Sequence, residues 1–458
     1  MTTAQGLSSS LADWIARAPR IGSRRALALA KDAFKDITAC MLAGTRDPAT
    51  LSVAKAASDW GKGRCVVVGQ AMRLPAPAAA LVNGTAAHAL DFDDNFHPMA
   101  GHATAVLAPA IFAVGEDLGS SGLAVLDAYV VGLEVQSRVG EGVNLTHYER
   151  GWHSTSTIGV FGTAAACARL LRLDAQGCAA ALSLAFSMAA GSKLQFGTMA
   201  KPVHAGLAAM HGVLAASLAA AGVRGAAEVL EGEWGFRDLF GGESSPGYKA
   251  RAIGKPLAIE QFGLKAKIHP CCASVHTAVD ALLELQKAHG FHAAEVERVD
   301  ALVNRVSRDN LRYDSPRTEL EARFSMQWAI ALALEQGRLT LADFTPRALR
   351  RRDIRAWLPR ISMRHTQTGK EHPTVDNGRE PALTTVFLKN GTKLERYAQH
   401  AKGTLQNPLA AGELNAKFEN CAPGRKALKA LLDKFEKLPS VRPFLTQLRN
   451  APHPRRSP

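Results

Sequence analysis

At 458 residues, with 47% hydrophobic and 6% aromatic composition, the chain is long enough for two or three domains and a large core. Abundant alanine and few aromatics favour closely packed helices over strands. The formal net charge of +14 admits nucleic acid, a membrane surface or small anions as partners. Much of the excess is local: Arg347 to Arg364 carries seven arginines, and the chain ends with Arg455 and Arg456 nearby. No zinc finger, RNA-binding signature or aromatic-interleaved basic stripe accompanies them, so a solvated basic face is expected, with neither nucleic acid nor membrane as partner. Seven cysteines, an odd number without paired spacing, point to reduced thiols in a cytoplasm. Met1 to Ser10 lacks the apolar segment of a secretory signal.

In chain order, Ser8, Ser9 and Ser10 are expected to cap a first helix through Ala16. An amphipathic helix follows from Arg25 to Leu42, with Ala30, Ala33, Phe34, Ile37 and Met41 on one face. Asp47-Pro48 is a cap with a first-turn proline and starts a helix to Trp60. Cys65 to Gly69 reads as a lone extended piece. Ala76 to Ala89 is a buried helix opened by Pro77, and Ala103 to Val114 is a second. Further helices are expected at Gly122 to Gly140, Ser154 to Leu171, Asp174 to Ala190, Pro202 to Ala221 and Ala226 to Leu230. The apolar run Val203 to Val223 contains His204 and His211 and reads as a buried helix rather than a membrane span. After about residue 260 the composition changes. Val296 to Val306 alternates like a strand, and Trp357 to Met363 reads as another. Leu383 to Leu388 and Thr392 to Tyr397 flank Asn390-Gly391, a hairpin signal that suits a type I′ turn. Two tail helices follow, Gly412 to Phe418 and Gly424 to Leu432. The expected fold is mainly α. It combines a large all-helical domain (1–262), a smaller α+β domain (263–400) and C-terminal helices (401–458) that return to the first.

The stretch from His88 to Thr104, HALDFDDNFHPMAGHAT, carries the chemistry. Asp91, Asp93 and Asp94 sit at the C-terminal, negative end of a helix, where each costs about 0.3–1 kcal/mol unless something offsets it. The plainer alternative is an Asx-type turn that caps the next segment. His102 precedes the next helix, His153 precedes a Ser-capped helix, and Lys201 precedes a helix with Pro202 in its first turn. Three ionisable side chains at three helix N-termini make an anion-binding pocket if those ends converge. His204 and His211 share a helical face and are read as mainly structural. In KAKIHPCCASVHTAVDALLEL (265–285), Lys267, Cys272 and His276 fall near the start of the second domain. No metal-ligand or iron–sulfur spacing accompanies Cys271-Cys272, so no metal or cofactor is expected. No phosphate loop, dinucleotide fingerprint or exposed-serine elbow occurs.

HALDFDD with a downstream histidine, GWHSTSTIGVFGTAAA, KPVHAGLAAMHG, KIHPCCASVHTAVDAL and NPLAAGELNAKFENCA together resemble the MmgE/PrpD family over nearly the whole chain. That family includes 2-methylcitrate dehydratase, cis-aconitate decarboxylase and iminodisuccinate epimerase. The resemblance implies a smaller lid domain inserted in a helical one, a homodimer and metal-free chemistry. It places Asp91, His102, His153, Lys201 and Lys267 in a pocket between the domains. The sequence departs from the family at Asn95, where Thr or Ser is usual, and at Ala103-Thr104, which replace a proline after the histidine. Cys272 stands where the decarboxylase has a histidine, and Trp328 where a tyrosine hydroxyl is frequent.

Removal of a proton next to a carboxylate fits both the residues and the resemblance. Asp91, His102 and His153 are the expected catalytic residues, with one histidine as base and the other as acid. Asn95, Lys201, Lys267, Cys272 and His276 are expected to bind substrate, the lysines stabilising enolate-like charge. The leading expectation is a cofactor-free lyase, a dehydratase of a di- or tricarboxylate such as 2-methylcitrate. The alternatives are an epimerase or racemase, a cis-aconitate-type decarboxylase, or a non-catalytic protein that binds anionic metabolites or nucleic acid.

Overall fold

Small side chains let the helices approach closely. Gly84 of the Ala76–His88 helix meets Gly206 of the Ala200–Ala220 helix, where a Cβ on Gly206 would stand 2.3 Å from the Leu81 carbonyl oxygen. The same long helix meets Gly159–Leu170, where a Cβ on Gly212 would stand 2.4 Å from the Thr163 Cβ. Gly206→Val is therefore expected to destabilise the protein by about 3 kcal/mol or more, since the clash is with backbone. Denaturant unfolding that shows an unchanged midpoint would refute this contact.

The computed structural model describes residues 6–249, 252–365, 380–410 and 412–449; Arg455 and Arg456 lie outside them. The described chain is mainly α and has two apolar cores. The first joins the N-terminal helices to the tail: Phe34 meets Phe112, Tyr129 and Phe435 edge-on at 5.1, 5.0 and 5.1 Å between ring centres. Phe418, Leu428 and Phe444, from the tail helices Glu413–Cys421, Lys426–Asp433 and Arg442–Arg449, share this core. The second core packs the helices Ala273–His289 and Met326–Gln336 against a four-stranded sheet. Its order is Ile361–His365, Val296–Val303, Ala382–Leu388, Lys393–Ala398, the first pair parallel and the others antiparallel.

Ala200–Ala220 is long and apolar enough to cross a bilayer by length and composition. Here Ala205, Ala209 and Val213 lie in the first core, as the two glycine contacts require.

Several local expectations are corrected. Gly6, not a serine, precedes the Leu7–Arg17 helix, and Ser8 instead bonds the Glu231 carboxylate through its hydroxyl at 2.7 Å. The segment from Ser154 is not one helix: Ser154–Thr157 and Gly159–Leu170 are separated at Ile158. Residues 226–230 are irregular, not helical. Cys65–Val66 is not alone, since it pairs with Arg73–Leu74. In the hairpin only Gly391 of the Asn-Gly pair has positive φ (+86°), so the turn is not type I′. Gly391 N–H bonds the Leu388 carbonyl at 2.9 Å, and Gly391 supplies the left-handed residue of a longer loop. The arginine-rich segment is only partly a solvated face. Arg351 pairs with Asp353, Arg355 bonds the Leu349 and Pro316 carbonyls, and Arg360 stacks on Trp357.

Candidate active site

The Ala76–His88 helix ends at a sharp corner. Asp91 adopts φ +50°, a left-handed conformation that a non-glycine residue holds only when its surroundings fix it. Three buried groups do so. Lys201 Nζ lies 2.8 Å from Asp91 Oδ1, and Lys267 Nζ lies 3.1 Å from the same oxygen and 2.9 Å from the Asp91 carbonyl. Arg323 donates from one nitrogen to the Leu90 carbonyl at 2.6 Å and to Pro270 at 2.8 Å. It thereby ties this corner to the loop that bears Lys267 and Cys272. From the tail, Lys417 pairs with Asp36 at 2.6 Å and donates to the Phe92 carbonyl at 2.7 Å. These cations offset the carboxylates at the helix end. Burial works against a charged Asp91, but Lys201 and Lys267 outweigh it and hold its pKa well below the usual range.

The three aspartates do different work. Asp94 accepts from the Thr104 amide at 3.3 Å and from its hydroxyl, so the capping alternative describes this residue. Burial pushes its pKa up to about 7. Asp93 is fully buried between two imidazoles: His88 Nδ1 and His102 Nδ1 each lie 2.9 Å from Asp93 Oδ2. Burial opposes its charge too, but the two histidines hold its pKa well below normal. Burial lowers His88 to about 4 and also lowers His102, so both rings are neutral near pH 7. A neutral ring that gives its Nδ1–H to a carboxylate keeps a lone pair on Nε2. In His102 that atom lies 3.4 Å from Asn95 Nδ2 and 3.6 Å from Asp91 Oδ1. Asp93 thus stands 2.9 Å from His102 Nδ1, without the alignment of a hydrogen bond, and its charge favours the proton on that nitrogen and the lone pair on Nε2.

His153 and His204 meet Nδ1 to Nδ1 at 3.0 Å, a contact in which one ring must donate and the other accept. His204, read from the sequence as structural, thus couples its tautomer to that of His153, one Nδ1 carrying the proton and the other the lone pair. Burial, with Lys201 and His204 adding to it, lowers His153 well below its usual value.

A narrow cavity of about 30 Å³ runs between the two cores. It brings together Asp91, Asn95, His102, His153, Lys201 and Cys272 from the sequence-derived set. Phe196 and Phe324 flank Lys201, their ring centres 5.5 and 5.2 Å from Nζ. The far wall is a polar chain that the sequence reading missed. Tyr148 donates to Asn310 at 3.1 Å, Asn310 to Ser274 at 3.1 Å, and Ser274 to Glu380 at 2.8 Å, with Lys265 on Glu380 at 3.0 Å.

Two expected site residues, and the tryptophan that departs from the family's tyrosine, lie elsewhere. Lys267 is fully buried behind Asp91 and does not line the cavity, its ammonium already occupied by Asp91. His276 turns away, its Nε2 3.4 Å from the Cys271 carbonyl and its ring against His269. Trp328 sits in the second core with Nε1 on the Asp343 carbonyl at 3.3 Å, so no cavity hydroxyl is lost there. Cys272 does reach the cavity, and burial raises its thiol, which is neutral.

By donor type, His88, Asp91, Asp93 and His102 could ligate a metal, their atoms lying within 4.8 Å of one another. The fit is poor, because Lys201 and Lys267 already bring two ammoniums to within 2.8 and 3.1 Å of the Asp91 oxygen that a cation would need.

The imidazoles predict the acid response. His88, His147, His153 and His276 are buried, and burial depresses all four from 6.5, His88 and His147 to about 4. The unfolded chain therefore binds protons that the folded chain does not, and stability is lost as pH falls below 6.5. Asp94 and Glu141, each raised to about 7, oppose this, but His102, His204 and His211 are depressed by burial too and add to the four. The thermal midpoint is expected to fall by about 5–10 °C between pH 7 and pH 5. A midpoint flat across that range would refute neutral burial of the cluster.

Two family models match the chain: the MmgE/PrpD N-terminal domain over residues 9–249 and the MmgE/PrpD C-terminal domain over residues 269–431. The chain is 30% identical to cis-aconitate decarboxylase of Mus musculus over 83% of this chain and 80% of that one. It is 31% identical to that of Homo sapiens over 76% and 73%. It is 31% identical to a cis-aconitate decarboxylase-like protein of Aspergillus oryzae over 70% and 71%. The chain belongs to the MmgE/PrpD family.

Proposed function

We propose that the protein is a lyase that decarboxylates a polycarboxylate of the cis-aconitate type. The observation that carries this reading is the Asp93–His102 pair, which faces Lys201 across a buried cavity. The names of the relatives move the weight from dehydration, the leading expectation from the sequence, to decarboxylation. A substrate carboxylate meets the Lys201 ammonium, which has donors to spare after its bond to Asp91. Loss of a second carboxylate as CO₂ leaves its bonding pair on a carbon conjugated with the remaining carboxylate. Lys201 stabilises that charge. The polyanion raises the proton affinity of the imidazoles, so His102 or His153 delivers the proton that quenches it.

Dehydration is the second reading, and Cys272 favours it. A neutral thiol stands in the cavity where the family resemblance puts the decarboxylase's histidine. Incubation with cis-aconitate and with 2-methylcitrate in deuterated water, followed by NMR, separates the two. Release of CO₂ with one deuterium in the product supports decarboxylation, and an alkene formed without CO₂ supports dehydration. Inertness toward both, and toward a wider panel of hydroxy- and imino-polycarboxylates, would overturn the lyase reading.

A homodimer belongs to the same proposal. The Ala200–Ala220 helix carries a half-buried stripe of Val203, Leu207 and Met210 that ends in Leu214, 37% exposed; Leu194 (73%) and Met199 (40%) just before the helix are exposed too. Light scattering is expected to give twice the chain mass; a monomer at micromolar concentration would count against it.

A further inference from the structure

The two histidines that line the cavity are held in opposite ways. His102 has a carboxylate beside it, with Asp93 Oδ2 2.9 Å from its Nδ1. His153 instead has a second imidazole, with His204 Nδ1 3.0 Å from its own. The titratable groups that act on this pair are Lys201 from the helix of His204, His88 from the Ala76–His88 helix, and His102. No carboxylate is among them. Burial, with these groups adding to it, lowers both pKa values, that of His204 to about 4, so both rings are neutral near pH 7. Exposure is unequal: His153 is buried and lines the cavity, whereas His204 is only half-buried. With Nδ1 of His153 on His204, its Nε2 is the nitrogen left for a ligand. Nε2 of His204 carries no hydrogen bond among the described residues. A neutral pair of this kind holds two protons, one of them between the rings. A cationic pair holds three, one on each Nε2 and one shared between the Nδ1 atoms. What the cationic form lacks here is an anion, and a polycarboxylate in the cavity brings one.

We propose that the His153–His204 pair takes up one proton from solvent, through His204, when a polycarboxylate enters, and that His153 delivers a proton to the substrate. This rests on the polycarboxylate reading above and deepens it, choosing His153 as the proton donor and making His204 its positioning residue. In the starting tautomer His204 donates its Nδ1–H to His153 Nδ1. A solvent proton adds at His204 Nε2, and the proton between the rings moves onto His153 Nδ1. His153 then gives its Nε2 proton to the carbon that has lost CO₂, and the pair is neutral again. Once product leaves, water in the cavity adds a proton at His153 Nε2 and His204 Nε2 releases one to solvent, which restores the starting tautomer.

The test is calorimetry of the full-length protein with tricarballylate at pH 7, repeated in buffers of different ionisation heat, which counts protons taken up per ligand bound. Ionisation of the ligand itself is common to every variant, so differences between proteins report the pair. The parent is expected to take up about one proton more than His204→Phe, which keeps a ring against His153 but cannot accept or carry a proton. His204→Met serves if the phenylalanine variant does not fold. Between pH 6 and pH 8 the parent's affinity should fall, relative to that variant's, by up to about tenfold per pH unit. A residue that merely packed against His153 would alter affinity without altering the proton count. His102→Gln should keep the parent's count. Equal counts in the parent and every folded His204 variant would overturn the proposal and leave the polycarboxylate reading standing. A count lowered in His102→Gln rather than in the His204 variants would also overturn it, by placing the proton beside Asp93. No binding of tricarballylate, with no turnover of cis-aconitate or 2-methylcitrate, would remove the polycarboxylate reading and this one together.

Discussion

His102→Gln is expected to lower kcat by about 10²–10⁴-fold, with fold and substrate affinity little changed. Glutamine keeps a polar group of similar reach but cannot carry a proton to or from carbon. Asp93→Asn should produce a loss of the same order from one shell further out. Asp93 pairs with His88 Nδ1 and stands 2.9 Å from His102 Nδ1, and an amide there can offer its NH₂ to His102 and invert the tautomer. The lone pair at Nε2 would then be replaced by an N–H. The two variants differ in the profile of rate against pH. Asp93→Asn removes the charge that raises the imidazole, so any residual limb governed by His102 moves to lower pH. His102→Gln has no such limb. His153→Gln is expected to fall by at least about a hundredfold as well, and His204→Gln to weaken catalysis through its bond to His153. Near-normal turnover in His102→Gln would show that the ring is structural and would end this acid–base assignment.

The sequence disclosed the helical layers better than their joints. Glycine and alanine at close spacing mark the buried helices, and the apolar runs give their lengths to within a few residues at Ala76–His88 and Ala200–Ala220. The break at Ile158 was not legible, because the Ser154–Thr157 run reads as the cap of a single helix and no proline separates it from the apolar residues that follow. Site residues next to helix starts, His102, His153 and Lys201, could be seen because the polar residue stands out against an apolar run. What was hidden is partnership across the chain. Nothing near Asp93 in sequence says that it will orient His102 rather than join Asp91, and nothing near His204 says that it will meet His153. Lys267 is expected as a substrate ligand from its charge and from the family resemblance; only the approach of the 267–272 loop to Asp91 turns it inward. The chain Tyr148–Asn310–Ser274–Glu380 draws on four separate segments and has no local signature.

The largest stability effect is expected at Asp91. Its side chain is 3% exposed and faces Lys201 and Lys267, which are 4% and 0% exposed. Removing the carboxylate leaves two ammoniums buried against each other, and breaking a buried pair in this way costs about 3–5 kcal/mol. Asp91→Asn isolates that charge effect, because asparagine accepts the left-handed backbone at φ +50°. Asp91→Ala should be worse by about 1–2 kcal/mol, since alanine pays the steric cost of that conformation without a polar side chain to offset it. The pH dependence gives an independent check. In the parent, burial lowers the Lys267 pKa but Asp91 and Asp93 outweigh it, so the folded value lies above 10.5. That contribution is complete below 10.5 and is lost as pH rises through the folded value. In Asp91→Asn burial dominates and the folded value drops below 10.5, so the unfolded state binds the extra proton and stability rises with pH up to that point. Denaturant midpoints measured between pH 8 and pH 10 should therefore climb for Asp91→Asn while the parent's do not. A variant as stable as the parent, with the same alkaline slope, would mean that the lysines are not held by Asp91, and the corner that presents His102 would need another explanation.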